Sequence, residues 1–190
     1  MRVLVFGDTH IPNRRDAIPK AFHEHIAGQK YDMALVTGDL VREHEMRKAL
    51  PPLPRTFIVR GNMDYSLSEH NHHEQIQLGE FNILLLHGTQ LRPRGNIHQL
   101  WEIATNIGAD IGVHGHTHNA TVDLYNDKLF LNPGTITGAT GGWSGRQEAS
   151  FLEIEIDTLK LMVRLHRSNW DVFKTSEIEF VKEDDIIRAA

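Results

Sequence analysis

Three short apolar runs, each leading into glycine followed by Asp or Asn, constrain the fold of this chain more than any other feature. The runs cover residues 3–6, 33–37 and 56–59, and each has the length and composition of a buried strand. Segments 16–27 and 43–50, which separate them, have the apolar spacing of helices. Strand, helix, strand, helix, strand is the pattern of a parallel βαβαβ unit, so an α/β fold is predicted.

The second half of the chain is mainly β. Residues 75–78 and 82–86 predict a hairpin, 97–107 a helix and 111–113 another buried strand. Five further strands are predicted at 121–125, 129–131, 149–156, 161–166 and 172–180. The Gly- and Thr-rich stretch 134–145 is expected to be an ordered loop and not a domain boundary. We therefore predict one domain over residues 1–182 and a frayed tail over 183–190, which opens with three acidic residues.

The bulk composition narrows the class of protein. A chain of 190 residues suits one compact domain, and its formal net charge of −5 argues against a nucleic-acid scaffold role. There is no cysteine, so neither disulfides nor thiolate metal sites can form. The first apolar run is too short for a signal peptide or a membrane span. We expect a cytoplasmic protein without membrane insertion.

The polar residues that follow the predicted strands are of metal-binding types. Seven such side chains stand just beyond five strands: Asp8, His10, Asp39, Asn62, His87, His116 and His118. In open α/β sheets the loops beyond the carboxyl ends of the strands form the ligand site, so these side chains are expected to converge. A lone Gly-Asp or Asn after a strand is ordinary turn chemistry. A metal site is favoured because five segments share this pattern.

The ligand set predicts which metals would bind. Mixed imidazole and carboxylate ligands suit Mn, Ni, Co, Fe or Zn better than Ca or Mg. Seven ligands exceed the need of one ion, whereas two divalent metal ions sharing a carboxylate, roughly 3.5–4 Å apart, would use them all. A metal-bound hydroxide attacking phosphorus is the chemistry that such a pair supports.

Other polar residues are assigned different roles. Arg14, in the loop after the first motif, and His98, at the start of a predicted helix, are candidate substrate-binding residues. Strand alternation predicts that His114 points away from the metal face and is structural. The cluster at His70, His72 and His73 and the arginines at 92 and 94 are interpreted as solvated surface.

Five ordered motifs resemble those of the calcineurin-like metallophosphoesterases over roughly residues 1–168. They are Gly7-Asp8-Thr9-His10, Gly38-Asp39, Gly61-Asn62-Met63-Asp64, His87-Gly88 and Gly115-His116-Thr117-His118. Within that superfamily the chain is similar to small single-domain phosphodiesterases, and closer still to the phosphoesterase-like subunit of eukaryotic retromer. The resemblance implies a four-layer α/β/β/α sandwich of two mixed sheets flanked by helices.

The resemblance also implies a role for each ligand. Asp8, His10 and His118 would hold one ion, Asn62, His87 and His116 would hold the other, and Asp39 would bridge them. The implied catalytic set is Asp39, Asn62 and Asp64, with Asp64 orienting a ligand or the backbone. The implied activity is hydrolysis of phosphate esters, and of diesters in particular.

The departure from the family pattern is Met63. Many members carry a histidine at this position, where it can protonate the leaving group, and a thioether cannot transfer a proton. A slower enzyme, or one that prefers good leaving groups, is therefore expected.

Two interpretations without catalysis remain beside the enzyme. One is a scaffold that docks a larger protein partner through a retromer-like face formed by Ile11-Pro12 and residues 132–139. The other is a metal-binding protein that turns over no substrate.

Overall fold

The computed structural model describes residues 1–142 and 145–190, which form two β-sheets with helices on their outer faces. In chain order the elements are β1 (Arg2–Phe6), α1 (Lys20–Ala27), β2 (Met33–Val36), α2 (Glu43–Ala49), β3 (Arg55–Ile58), β4 (His73–Leu78), β5 (Phe81–Leu86), α3 (Ile97–Asn106), β6 (Ile111–Val113), β7 (Thr121–Tyr125), β8 (Lys128–Asn132), β9 (Ala149–Asp157), β10 (Lys160–Ser168), β11 (Phe173–Glu183) and β12 (Ile186–Ala189).

Both sheets are mixed. The seven-stranded sheet has the order β12-β11-β10-β9-β1-β2-β3, and the five-stranded sheet has the order β4-β5-β6-β8-β7. In the first sheet β1, β2 and β3 are parallel while β9 to β12 form an antiparallel meander. In the second, β6 pairs in parallel with both β5 and β8. The predicted βαβαβ unit therefore supplies three of the seven strands of one sheet.

Strand β1 shows why these runs are apolar throughout. Val3 and Val5 enter the core between the two sheets, whereas Leu4 and Phe6 pack beneath the helices on the outer face. A third core lies between α3 and the five-stranded sheet. A strand that is buried on both faces has no solvent-facing position for polar residues. The layers are helix, sheet, sheet and helix, which confirms the predicted α/β/β/α sandwich.

The predicted frayed tail is wrong. Strand β12 pairs antiparallel with β11 over Ile186–Ala189, and Ile187 is buried in the core between the sheets. Of the acidic residues that suggested fraying, Glu183 ends β11, and Asp184 and Asp185 form the turn before β12. The Lys182 ammonium lies 2.9 Å from the Asp110 carboxylate. Apolar residues after a charged turn are as typical of a hairpin as of a loose end.

Helix α1 is shorter than its apolar spacing predicts. It begins at Lys20 and not at residue 16, because Pro19 occupies the N-cap with an extended ψ of 136° and the residue before a proline is disfavoured in helical conformation. In the predicted loop over 134–145, Trp143 and Ser144 lie outside the described residues. No helix in the described part of the chain is long and apolar enough to cross a membrane.

Candidate metal centre

The candidate site lies where the carboxyl ends of strands from both sheets meet. Its residues follow β1, β2 and β3 in one sheet and β5 and β6 in the other. Because the strands are parallel within each sheet, their carboxyl ends share one edge of that sheet, and the contact of Asp39 with His87 and His116 shows that the two edges meet. The topology therefore brings together loops that are distant in sequence.

One group of donors consists of Asp8, His10, Asp39 and His118, all buried, with ligand atoms within 4.8 Å of one another. The Nε2 atoms of His10 and His118 are 3.1 Å apart. His118 Nε2 lies 3.2 Å from Asp8 Oδ1, and His10 Nε2 lies 3.6 Å from Asp39 Oδ2. Two ligands of a tetrahedral ion with bonds of about 2.0–2.1 Å stand roughly 3.3 Å apart. These separations suit one transition-metal ion.

A second group consists of Asp39, His87 and His116, also buried and also within 4.8 Å of one another. His87 Nε2 lies 3.6 Å from Asp39 Oδ2 and 3.2 Å from Asn62 Oδ1. Asn62 is exposed, so this side of the centre opens to solvent. Asp39 belongs to both groups.

Backbone carbonyls fix the orientation of two imidazoles. His87 Nδ1 donates to the Thr37 carbonyl at 2.7 Å, and His118 Nδ1 donates to the Ala139 carbonyl at 2.6 Å. A carbonyl only accepts, so in each neutral ring the proton is on Nδ1 and Nε2 presents a lone pair to the centre. This is the outer-shell arrangement that metal-ligating histidines usually have.

Asp64 holds the backbone around Asp39 in place. Its Oδ2 accepts from the amides of Asp39 and Gly61, both at 2.8 Å, and its Oδ1 accepts from the amide of Val41 at 2.8 Å. The Met63 amide in turn donates to Asp39 Oδ1 at 2.7 Å. All of these Asp64 contacts are with backbone amides, so the structure places it behind the ligand.

The loops adopt unusual backbone conformations at the donor residues. Five of the seven candidate ligands have left-handed φ: Asp8 (47°), His10 (49°), Asp39 (54°), His116 (70°) and His118 (59°). Non-glycine residues rarely adopt this region, and its clustering is typical of functional sites. The neighbouring glycines are needed for space, because a Cβ on Gly61 would lie 2.2 Å from Asp39 Oδ1 and one on Gly115 2.7 Å from Asp8 Oδ2.

The loop after β8 braces the first motif. The hydroxyl of Thr135 donates to the Asp8 carbonyl at 2.8 Å, and that of Thr137 donates to the Thr9 carbonyl at 2.9 Å. Both threonines are buried. Sequence reasoning placed these residues in a retromer-like stretch but did not predict this bracing, because no local pattern reports a contact between segments so far apart in the chain.

The electrostatics of the centre show a shortage of positive charge. Burial, reinforced by the Asp8 and Asp64 carboxylates, raises the pKa of Asp39 to about 6. Burial lowers the pKa of His10 to about 3 and that of His116 to about 4. Asp8 and His118 shift the other way: despite burial, their mutual contact lowers the pKa of Asp8 and raises that of His118. A buried carboxylate that resists ionisation beside two imidazoles that resist protonation would be stabilised by a bound cation.

Unpaired polar atoms point to the same conclusion. Asp8 Oδ1 and His10 Nδ1 are buried and make no hydrogen bond within the described ranges. In the neutral ring of His118, Nε2 would oppose the lone pairs of Asp8 Oδ1 at 3.2 Å, and despite burial this contact with Asp8 raises the pKa of His118. A proton or a metal ion between them removes this conflict. The residues present therefore fit divalent metal ions.

The two candidate substrate residues differ in placement. Arg14 donates from its backbone amide to the His10 carbonyl at 2.9 Å and from Nη1 to the Thr140 carbonyl at 2.8 Å, beside the centre. His98 is largely exposed on α3, where its Nδ1 lies 3.5 Å from Glu102. The structure thus groups Arg14 with the donor residues and shows no contact between His98 and any of them.

Two further histidines, His114 and His70, belong to neither donor group. His114 is buried, with Nδ1 3.2 Å from Asn132 Nδ2. His70 Nε2 lies 2.8 Å from Glu43 Oε2 at the start of α2, and these two side chains group with the exposed Glu69 at the surface.

The proposed docking face around Ile11 is wrong in its detail. Ile11 is 2% exposed, and Ile136 and Ala139 are fully buried. Ile11 forms a β-bridge with Val41, so its side chain is held inside the fold. Residues 132–139 are likewise buried, so Pro12 is the exposed residue of the predicted face.

Comparison with known proteins agrees with this geometry. The sequence model of the calcineurin-like phosphoesterase superfamily domain matches residues 1–158. A probable metallophosphoesterase of Methanocaldococcus jannaschii is 32% identical over 137 residues, which is 72% of this chain and 69% of that protein.

Solved structures of Vps29 from Entamoeba histolytica have the same fold. A single-substitution variant superimposes with a TM-score of 0.86 at 32% identity, covering 95% of this chain and 99% of that one. Wild-type Vps29 complexed with Zn²⁺ superimposes with a TM-score of 0.83 at 30% identity, covering 94% and 99%.

The fold and the donor set together define an α/β/β/α-sandwich protein with a candidate metal centre at its strand ends. The chain belongs to the calcineurin-like phosphoesterase superfamily, and it is similar both to a metallophosphoesterase and to Vps29.

Proposed function

We propose that this chain is a metal-dependent phosphodiesterase with two divalent ions at the strand-end centre. The observation that carries the proposal is the position of Asp39, whose carboxylate belongs both to the group with Asp8, His10 and His118 and to the group with His87 and His116. A shared carboxylate between two sets of imidazoles suits a pair of ions better than a single one. The Zn²⁺ complex of a Vps29 that is 30% identical supports zinc-class metals.

The two ions, when bound, would supply Lewis acidity toward a phosphoryl oxygen and lower the pKa of a water. The chain's own residues orient this chemistry. Thr37 and Ala139 aim the Nε2 atoms of two histidines through their carbonyls, and Asp64 fixes the backbone that carries Asp39. Asn62 lies at the open side, where a substrate can approach.

Substrate preference follows from Met63 and Arg14. The Met63 side chain is half-buried at the open side and can neither donate a proton nor carry a charge. A monoester dianion gains from cationic groups around it, so the neutral side chain favours diesters. Arg14 adds one guanidinium beside the centre, which suits the single negative charge of a diester.

A substrate panel tests this proposal. Aryl diesters and the matching monoesters are incubated with Mn²⁺, Ni²⁺, Co²⁺ or Zn²⁺, with an EDTA-treated control. We expect metal-dependent hydrolysis with higher kcat/KM for the diester. Asp39→Asn should lower kcat/KM by about 100-fold or more, since even outer-shell changes at metal sites cost about 10–100-fold. Asp171→Asn, an exposed substitution, is the matched control.

A second candidate function is docking of a protein partner, supported by the likeness to Vps29 over 95% of the chain. The same panel separates the two. Two bound ions without turnover of any ester would overturn the enzyme and favour docking or metal binding without catalysis. A clear monoester preference would instead keep the enzyme and overturn the diester assignment.

A further inference from the structure

A second cluster of buried metal-binding side chains lies on the helix-covered face of the seven-stranded sheet. It consists of His25 in the last turn of α1, Glu153 on β9 and His166 on β10, with ligand atoms within 4.8 Å of one another. Glu153 stands opposite Leu4 of β1, four residues before Asp8. At about 3.3 Å per residue, this places the cluster roughly 13 Å along the strand from the strand-end centre.

The separations within the cluster suit a metal ion. His25 Nε2 lies 2.8 Å from Glu153 Oε1, and His166 Nε2 lies 3.6 Å from Glu153 Oε2. The two imidazole centroids are 4.7 Å apart. The two nitrogen–oxygen separations lie on either side of the roughly 3.3 Å expected between ligands of tetrahedral zinc.

His166 points an unsatisfied nitrogen into this cluster. Its ring is 1% exposed, and Nε2 has no hydrogen-bond partner among the residues that the structure describes. Nδ1 is occupied by the Thr175 hydroxyl at 2.8 Å, which fixes the ring with Nε2 toward Glu153. Buried polar nitrogens are rarely left unpaired in proteins, so this one calls for a ligand.

The carboxylate between the histidines is ready to bind a cation. Burial alone would raise the pKa of Glu153, but the polar groups of His166, Tyr31, Arg2 and His25 around it hold that pKa well below its usual range. The Tyr31 hydroxyl donates to Oε1 at 2.5 Å, and Arg2 Nη2 donates to Oε2 at 2.7 Å. Glu153 is therefore ionised at neutral pH.

We propose that His25, Glu153 and His166 bind a divalent transition-metal ion of the zinc class, in addition to any ions at the strand ends. Two imidazoles and one carboxylate are a familiar zinc ligand set that leaves a fourth position for water. The ion would be held by both Nε2 atoms and the carboxylate, and the proton that His25 Nε2 now donates to Glu153 would move by way of solvent to Nδ1 of the same ring, which leaves a neutral imidazole with its Nε2 lone pair free. The site links α1 to β9 and β10. It binds more weakly than the strand-end centre, because the Arg2 guanidinium already neutralises the carboxylate.

Access to the site is through His25. Its side chain is 22% exposed, whereas those of Glu153 and His166 are almost fully buried. An ion can therefore reach the cluster by displacing the His25 hydrogen bond without unfolding the sheet.

Anomalous diffraction at the zinc edge tests the site directly. Crystals of the full chain are soaked in Zn²⁺ at neutral pH, and equilibrium dialysis counts bound ions in solution. We expect an anomalous peak between the imidazoles of His25 and His166, and one further ion per chain in dialysis. His166→Gln and His25→Gln should each remove that peak and weaken the extra binding step by about tenfold or more. His23→Gln, which changes an exposed histidine on the same helix, should leave both intact.

The peak in the parent chain decides the matter even if His166→Gln folds poorly. The soak uses a zinc concentration far above that needed to saturate the strand-end centre. Under that condition, zinc peaks at the strand ends without a peak at Glu153 would overturn the proposal. Equal binding by the parent and the more exposed His25→Gln variant would overturn it as well.

Discussion

Asp39 and Glu153 are two buried carboxylates of the same sheet in opposite electrostatic conditions. Asp39 is faced by the carboxylates of Asp8 and Asp64, and with burial these raise its pKa to about 6. Glu153 accepts from Arg2, Tyr31 and His25, and its pKa is held well below the usual range despite burial. Glu153 receives a guanidinium and two further side-chain donors, whereas Asp39 receives one hydrogen bond, from the Met63 backbone amide.

The cluster around Glu153 therefore stabilises the fold, whereas the cluster around Asp39 destabilises it. Around Glu153, partners from the first strand, α1 and β10 join distant segments of the chain. Around Asp39, left-handed backbone at Asp8, His10 and Asp39 itself adds unfavourable terms that the rest of the fold must offset. Clusters that oppose folding are characteristic of functional sites.

The largest expected effect is on stability. Glu153→Ala leaves the Arg2 guanidinium and two other donors without their shared acceptor, so in EDTA the free energy of unfolding should fall by about 3–5 kcal/mol. Asp39→Ala under the same conditions should cost far less, because it removes a strained charge. Urea unfolding at pH 7 measures both. Glu155→Ala, whose carboxylate makes an exposed pair with Arg164 two residues along β9, should cost under about 1 kcal/mol. If Glu153→Ala and Asp39→Ala lowered the free energy of unfolding equally, the predicted difference between the two carboxylates would be wrong.

The pH dependence of the metal-free chain sharpens the comparison. The folded pKa of Asp39 is raised from 3.8 to about 6, so the stability from its protonation is fully present below pH 3.8 and is lost as pH rises through about 6. The contribution amounts to roughly 3 kcal/mol at most. Glu153 has the opposite sign: its contribution is present above pH 4.5 and is lost as pH falls. In EDTA, Asp39→Asn should therefore gain stability relative to the parent as pH rises from about 4 to 7. If the urea midpoints of Asp39→Asn and of the parent differed by the same amount at every pH in that range, this prediction would be wrong.

Met63 tests the chemistry on the strand-end side. Met63→His introduces a group that can protonate a leaving oxygen, so hydrolysis of diesters with poor leaving groups should rise by up to about 100-fold. Esters with good leaving groups should change little. Met63→Leu controls for loss of the thioether alone. A parent rate that is independent of leaving-group pKa would show that proton delivery does not limit this reaction.

The smallest expected effect concerns Arg14. Because its guanidinium contacts the Thr140 carbonyl beside the centre, Arg14→Gln should raise KM for an anionic diester about tenfold, near 1.4 kcal/mol, with kcat nearly unchanged. Arg188→Gln, an exposed change on β12, is the control. A fall in kcat at constant KM would assign Arg14 to the transition state and not to substrate binding.

Sequence predicted the layers and the strand ends because both are local signals. An apolar run followed by glycine and a polar residue can be recognised within about ten residues, and five such runs specify an edge of the fold. The Glu153 cluster has no such signal, since His25 and Glu153 are 128 residues apart and meet only because β9 pairs with β1. The pairing of β12 with β11 and the burial of Ile11 likewise depend on which strands become neighbours. Local patterns do not encode that choice.

The braces around the first motif have a consequence for the order of events in the cell. Thr135, Thr137 and Asp64 fix the donor loops through hydrogen bonds to protein backbone, which require no ion. The donor loops can therefore form without an ion, unlike small zinc domains that fold only around the ion. If the proposed ions bind, loading can follow folding as a separate step, and the ion carried would then depend on which suitable ion the surroundings offer first.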